Sequence, residues 1–144
     1  MEIDRNESGM EGVPEKNAIA VIDANFRDIR ERAFEFAVRV VKLCRLLEKQ
    51  RNVGRTLINQ LLDAGTSIGA NLEEAQAGQS RADFVHKNAI SLKEARESVY
   101  WLRLILATTA FEKPVSDGIK ELESEAGEIA RIIGRIIVNT KKRS

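Results

Sequence analysis

Ser67-Ile68-Gly69-Ala70-Asn71-Leu72-Glu73-Glu74-Ala75-Gln76-Ala77-Gly78-Gln79-Ser80-Arg81-Ala82-Asp83-Phe84 runs on without a strand signal through His86, Ala95 and Trp101 to Leu104. It reads as the end of one helix, a Gly-Gln-Ser turn, and the start of a longer helix. Ser80-x-x-Asp83 is a capping box, in which a hydroxyl and a carboxylate satisfy amides that the first helical turn leaves unpaired. Gly78 just before it suits a left-handed residue closing the preceding helix.

Working outward, four apolar stripes recur at steps of three and four. The first helix is expected from about Asp28 to Gln50, with Ile29, Ala33, Phe36, Val40, Leu43 and Leu47 on one face. The second runs from about Gly54 to Ala77, with Leu57, Leu61, Ala64, Ile68, Leu72 and Ala75 inward. The third reaches about Thr109 along Phe84, Leu92, Ala95, Val99, Leu102 and Leu106. The fourth runs from Pro114 or Val115 to about Asn139, with Ile119, Leu122, Ala126, Ile129, Ile133 and Ile136 as a heptad seam. Links of a few residues make sequential helices lie antiparallel. The expected fold is all-α: an up-down-up-down four-helix bundle over residues 25–140. Residues 1–24 are expected to form a disordered or loosely docked acidic arm, and 141–144 a basic tail.

A chain of 144 residues suits one domain with one core. No apolar run approaches the roughly 20 residues that span a bilayer. The N-terminus lacks a basic-then-apolar leader pattern, so a cytoplasmic protein with no membrane partner is expected. Cys44, the single cysteine, lies between Leu43 and Leu46 and reads as a small core residue. Gly65 and Gly69 inside the second helix cost about 1 kcal/mol each relative to alanine, which points to a tightly packed neighbour.

Charge is asymmetric. Residues 1–25 hold six acidic and two basic side chains, whereas 27–55 hold nine basic and four acidic, in a chain of net charge +1. On the first helix Arg32, Arg39, Lys42, Arg45 and Lys49 fall within an arc of roughly 140°, opposite the apolar stripe. With Lys141, Lys142 and Arg143 they are the candidate nucleic-acid contacts, since clustered cations bind phosphates and release counterions. The acidic arm is expected to compete for that face.

No catalytic constellation emerges. A di-metal carboxylate bundle needs two Glu-x-x-His motifs, and the chain offers one histidine, His86; no metal or cofactor is expected. Arg81-x4-His86 resembles the ribonuclease motif of HEPN domains, with histidine as acid or base and arginine on phosphate. Five helical residues turn these side chains about 140° apart. Asn71, Glu74, Lys87, Asn88, Glu94 and Glu97 are polar residues near helix seams, and read as register-setting groups. Tyr100 and Trp101 are adjacent, so one is expected to line the bundle and the other a subunit contact.

These residues resemble the four helix bundle protein family, also called the 23S rRNA intervening-sequence protein family, from Phe26-Arg27-Asp28-Ile29 to about Ile137. The specific part is Ser67-Ile68-Gly69-Ala70-Asn71, Glu74-Ala75-Gln76, Ser80-x-x-Asp83-Phe84, Lys87, Lys93-Glu94-Ala95-x-Glu97 and Tyr100-Trp101-Leu102. The resemblance implies antiparallel four-helix protomers in ring-shaped pentamers, with no family catalytic residues. It includes the accessory protein of diversity-generating retroelements, a basic pentamer that binds nucleic acid and a reverse transcriptase. The expected function is therefore a non-enzymatic homo-oligomer, pentamer favoured, binding RNA or DNA, a reverse transcriptase, or another nucleic-acid-handling protein. An assembly scaffold with only protein partners is the alternative, and a HEPN-like ribonuclease the third reading.

Overall fold

The structure, a computed structural model, describes the backbone of residues 15–143 and the side chains of residues 26–143. It contains four helices: α1 (Glu15–Gln50), α2 (Arg55–Gln76), α3 (Arg81–Thr108) and α4 (Lys113–Lys142). No strand occurs among the described residues, so the fold is all-α. Contacts join α1 to α2, α2 to α3, α3 to α4 and α4 back to α1, which places α1 diagonally across from α3. No helix among the described residues is long and apolar enough to cross a membrane.

Two boundaries differ from expectation. Helix α1 begins at Glu15 rather than near Asp28. Its first turns hold good helix formers, including Glu15, Lys16, Ala18 and Ala20, and no glycine or proline. The Ala18–Ile22 run is apolar on every side, which hides the helical period. Residues 1–14 of the expected arm lie outside the described residues. At the other end Lys141 and Lys142 form the last turn of α4 instead of a separate tail. Cations suit the negative end of the helix dipole there.

The core is a single apolar cluster. All six seam residues expected on α4 are buried, from Ile119 to Ile136. On α1 the stripe holds, with Cys44 buried in place of half-buried Leu43. Burial pushes the Cys44 thiol up to about 11, and its Sγ lies 3.7 Å from the Ile58 carbonyl. It is an inert packing group.

Helix α3 departs from its expected stripe. Its buried face is Asn88, Ser91, Ala95, Ser98, Leu102 and Ile105, while Phe84, Leu92, Val99 and Leu106 are half-buried at the core edge. Small hydroxyl residues take the interior because they bond carbonyls. Ser91 Oγ donates across to Ile68 O of α2 at 2.9 Å, and Ser98 Oγ donates to Glu94 O at 2.9 Å. A hydroxyl satisfied in this way is tolerated in a core and allows close helix approach.

The glycines of α2 face α1. A Cβ on Gly65 would lie 2.9 Å from both Cγ atoms of Val40, whereas one on Gly69 would meet Ala33 at an ordinary 3.6 Å. The tight approach is thus inside the protomer. Arg30 bonds Glu73 at 2.8 Å further along. The pairs 40–65, 33–69 and 30–73 show that α1 and α2 run in opposite senses.

The Ser80 hydroxyl accepts the Asp83 amide at 3.0 Å and caps α3. Ser80→Ala should cost about 1 kcal/mol, the usual loss for a missing cap; a chemical-denaturation change below about 0.2 kcal/mol would rule the cap out as a contributor. Gly78 is not left-handed: no glycine has positive φ among the described residues, and α2 closes on Ala77 in the right-handed region. Gly78 sits in a tight place instead, since a Cβ there would lie 3.1 Å from Ala75 O. The left-handed residue is Arg51, φ 59°, at the end of α1. Arg51→Gly should therefore stabilise the protein by about 0.5–1 kcal/mol, read as a raised urea midpoint. A lowered midpoint would show that the Arg51 side chain outweighs its backbone cost.

Candidate interaction surface

The basic face of α1 divides into two parts. Arg32 makes a two-pronged pair with Glu125 of α4, Nε to Oε2 at 3.0 Å and Nη2 to Oε1 at 2.7 Å. That bond holds the Arg32 guanidinium above its ordinary value. Arg39 lies 3.4 Å from Glu121, also on α4. Arg32 fastens α1 to α4, whereas the Arg39 pair is exposed and adds little. Lys42, Arg45 and Lys49 are exposed and have no ion-pair partner among the described residues.

The basic end of α4 does not join them. The pairs 32–125 and 39–121 run in opposite senses along the two helices. At 1.5 Å per residue that register puts Lys141 to Arg143 roughly 40–50 Å from Lys42 and Lys49. The eight candidate cations therefore form two separate groups and two arginines paired with α4 carboxylates.

The same outer face of α1 carries an apolar element that charge patterning alone does not show. Phe34 is 69% exposed and Val38 37%. Phe34 follows core residue Ala33, so it falls about 100° off the buried stripe. That offset is the signal a search for charges passes over.

The family-motif residues gather on α2 and α3. Asn71 Nδ2 donates to Ser67 O at 2.9 Å and Ser67 Oγ to Asp63 O at 2.6 Å, so these polar groups are satisfied by their own helix. Glu74, Ser80 and Asp83 are exposed, and Lys87 is half-buried. Glu94 and Glu97 are half-buried on α3. Burial pushes the Glu94 carboxyl above its ordinary value, the charge of Glu97 pushes it further, Lys93 opposes this, and Asp63 adds the smallest upward push. Lys93 Nζ is 3.8 Å from Glu97. Asp63 joins this cluster from α2, a residue that sequence reading did not single out.

Trp101 packs against the core, and its Nε1 is buried with no hydrogen-bond partner. Tyr100, edge-on to it at 5.3 Å, is 54% exposed. Among the described residues Asn88 Oδ1 is the other buried side-chain atom without a partner, although Asn88 Nδ2 donates to Phe84 O. Arg81 and His86 are both exposed in the first turns of α3. No group of three His, Cys, Asp or Glu side chains among the described residues is arranged to hold a metal ion.

Fold and surface define an all-helical domain whose distinctive residues lie on helix faces rather than in a cleft. The chain belongs to the 23S rRNA-intervening sequence protein family, whose model matches residues 27–135. It is similar to a protein of unknown function from the S23 ribosomal protein family of Bacteroides thetaiotaomicron VPI-5482, seen in a crystal structure at 1.70 Å. The two share 36% identity and a TM-score of 0.71, over 78% of this chain and 97% of that one. No curated protein matches the chain.

Proposed function

We propose that this protein is a non-enzymatic homo-oligomeric bundle, a ring of up-down-up-down protomers, most simply a pentamer. It acts as an accessory factor for nucleic acid or for a nucleic-acid-handling protein such as a reverse transcriptase. The observation that carries the reading is the outer face of α1, where exposed Phe34 and Val38 continue into Lys42, Arg45 and Lys49. Exposed aromatic surface next to unpaired cations suits a macromolecular partner rather than a small substrate.

Membership of a family named for inserts in 23S rRNA favours RNA among the partners. The ribonuclease reading gains nothing from Arg81 and His86, which diverge around their helix. A protein-only scaffold is favoured by one specific observation: Arg32 and Arg39 are occupied by α4 carboxylates, which leaves three cations on this face. Multi-angle light scattering of the full chain at micromolar concentration should give several times the 16.1 kDa chain mass. A protomer mass at every concentration ends the oligomer reading. Salt-sensitive binding of a structured RNA supports nucleic acid, and salt-insensitive capture of one purified protein partner supports the scaffold.

A further inference from the structure

We infer that the outer face of α1 is one half of a head-to-tail contact between copies of this chain, and that the outer seam of α3 is the other half. The inference rests on the homo-oligomer reading and names the two surfaces that close the assembly.

The α1 half is a stripe of Phe34, Val38, Lys42 and Arg45, spaced by four, four and three residues. The α3 half is Ile90, Glu94, Glu97, Trp101 and Leu104, spaced four, three, four, three, which is the step of a helix-packing seam. All five α3 residues are half-buried, so each keeps an open side. Each stripe has an apolar end, and each has charges of one sign, positive on α1 and negative on α3. Asp63 of α2 adds a third carboxylate near Glu94.

The two stripes also lie at the same height. Ala33 faces Gly69, and the neighbouring Ile68 carbonyl takes the Ser91 hydroxyl, so Phe34 is level with Ile90 and Ser91. Helix α2 runs opposite to α1, and the Ser91–Ile68 bond together with the close approach of Gly78 to Asp83 shows α3 running opposite to α2. Counting along parallel α1 and α3 from that level, Val38 comes abreast of Glu94, and Lys42 and Arg45 of Glu97 and Trp101. Cyclic symmetry has no shift along its axis, so a ring of upright protomers needs this match in height. The stripes lie on diagonal helices, so the contact is heterologous, the kind that propagates around a ring. In the contact Phe34 lies on Ile90, Lys42 meets Glu97, and Arg45 lies beside the Trp101 ring, where a cation is also favoured. The cations also offset the like charge that Glu94 experiences in the lone protomer.

The test uses the full chain and light scattering at one fixed concentration. Phe34→Asp should lower the mass several-fold, toward the protomer, with the helical circular-dichroism spectrum kept, because this side chain is already exposed. Glu94→Lys with Glu97→Lys should do the same. Adding Lys42→Glu and Arg45→Glu to that reversed pair should restore the wild-type mass, a rescue that general misfolding cannot produce. A wild-type oligomer that survives Phe34→Asp, or charge reversal without rescue, overturns this contact and leaves the oligomer reading standing. A monomeric wild type overturns both.

Discussion

Gly65→Ala should destabilise the bundle by up to about 2 kcal/mol even though alanine is the better helix former by about 1 kcal/mol. The new methyl would arrive 2.9 Å from both Cγ atoms of Val40, a fully buried side chain. A β-branched residue in a helix has one strongly preferred rotamer, so Val40 cannot swing aside. Overpacking of this kind costs about 1–3 kcal/mol, enough to outweigh the gain in propensity. Gly69→Ala is the internal control: its Cβ would make an ordinary 3.6 Å contact with Ala33, so the propensity gain should survive and the variant should be neutral or slightly more stable. Val40→Ala should be less harmful in the Gly65→Ala background than alone, since the smaller partner makes room for the methyl. Thermal unfolding of the four variants at one protomer concentration measures the coupling. If Gly65→Ala and Gly69→Ala behave alike, the close approach of α1 and α2 at Gly65 is not a constraint.

That contrast shows where sequence patterning stops. Both glycines announce tight packing, but which one is crowded depends on a side chain 25 residues away. The α4 seam is fully legible because isoleucine, leucine and one alanine recur at steps of three and four from Ile119 to Ile136, a period that the extra apolar residues Ala130, Ile132 and Ile137 do not break. The α3 interior is not, because Ser91 and Ser98 are polar by composition and become core residues only through the carbonyls they bond. A scan for apolar residues therefore selects Leu92 and Val99, one position along. Gly78 shows a similar limit: a glycine after a helix reads as a left-handed cap, but the left-handed residue is Arg51, and only geometry separates a crowded glycine from one that needs positive φ. On the candidate surface, Arg32 and Lys42 look alike in a linear chain. Glu125, which occupies Arg32, is 93 residues distant. Helix periodicity orders residues on one helix and says nothing about which face of another helix it will meet.

The largest expected functional effect follows from that sorting. If α1 contacts nucleic acid, Lys42→Gln with Arg45→Gln and Lys49→Gln should reduce binding of any RNA sequence, since phosphate contacts carry affinity without base specificity. Three lost contacts should flatten the plot of log affinity against log salt by about 2.7, so the wild-type advantage should shrink by about 40-fold between 50 and 200 mM salt. Arg32→Gln should instead lower stability, because it strands Glu125 beside α1. Glutamine at Lys141, Lys142 and Arg143 should act independently of the α1 triple variant, since the groups lie roughly 40–50 Å apart. The mass of the α1 triple variant decides between the two roles open to these cations. Weaker binding at unchanged oligomer mass assigns them to phosphate. A fall in mass together with binding assigns Lys42 and Arg45 to the neighbouring copy, with the nucleic acid held by a surface that only the closed ring presents. Unchanged mass and unchanged binding would remove this face from both roles. The distinction is physical as well as practical: a cation that neutralises a half-buried Glu94 or Glu97 is less screened by salt than one resting on an exposed phosphate. Assembly should therefore persist to higher ionic strength than nucleic-acid binding does.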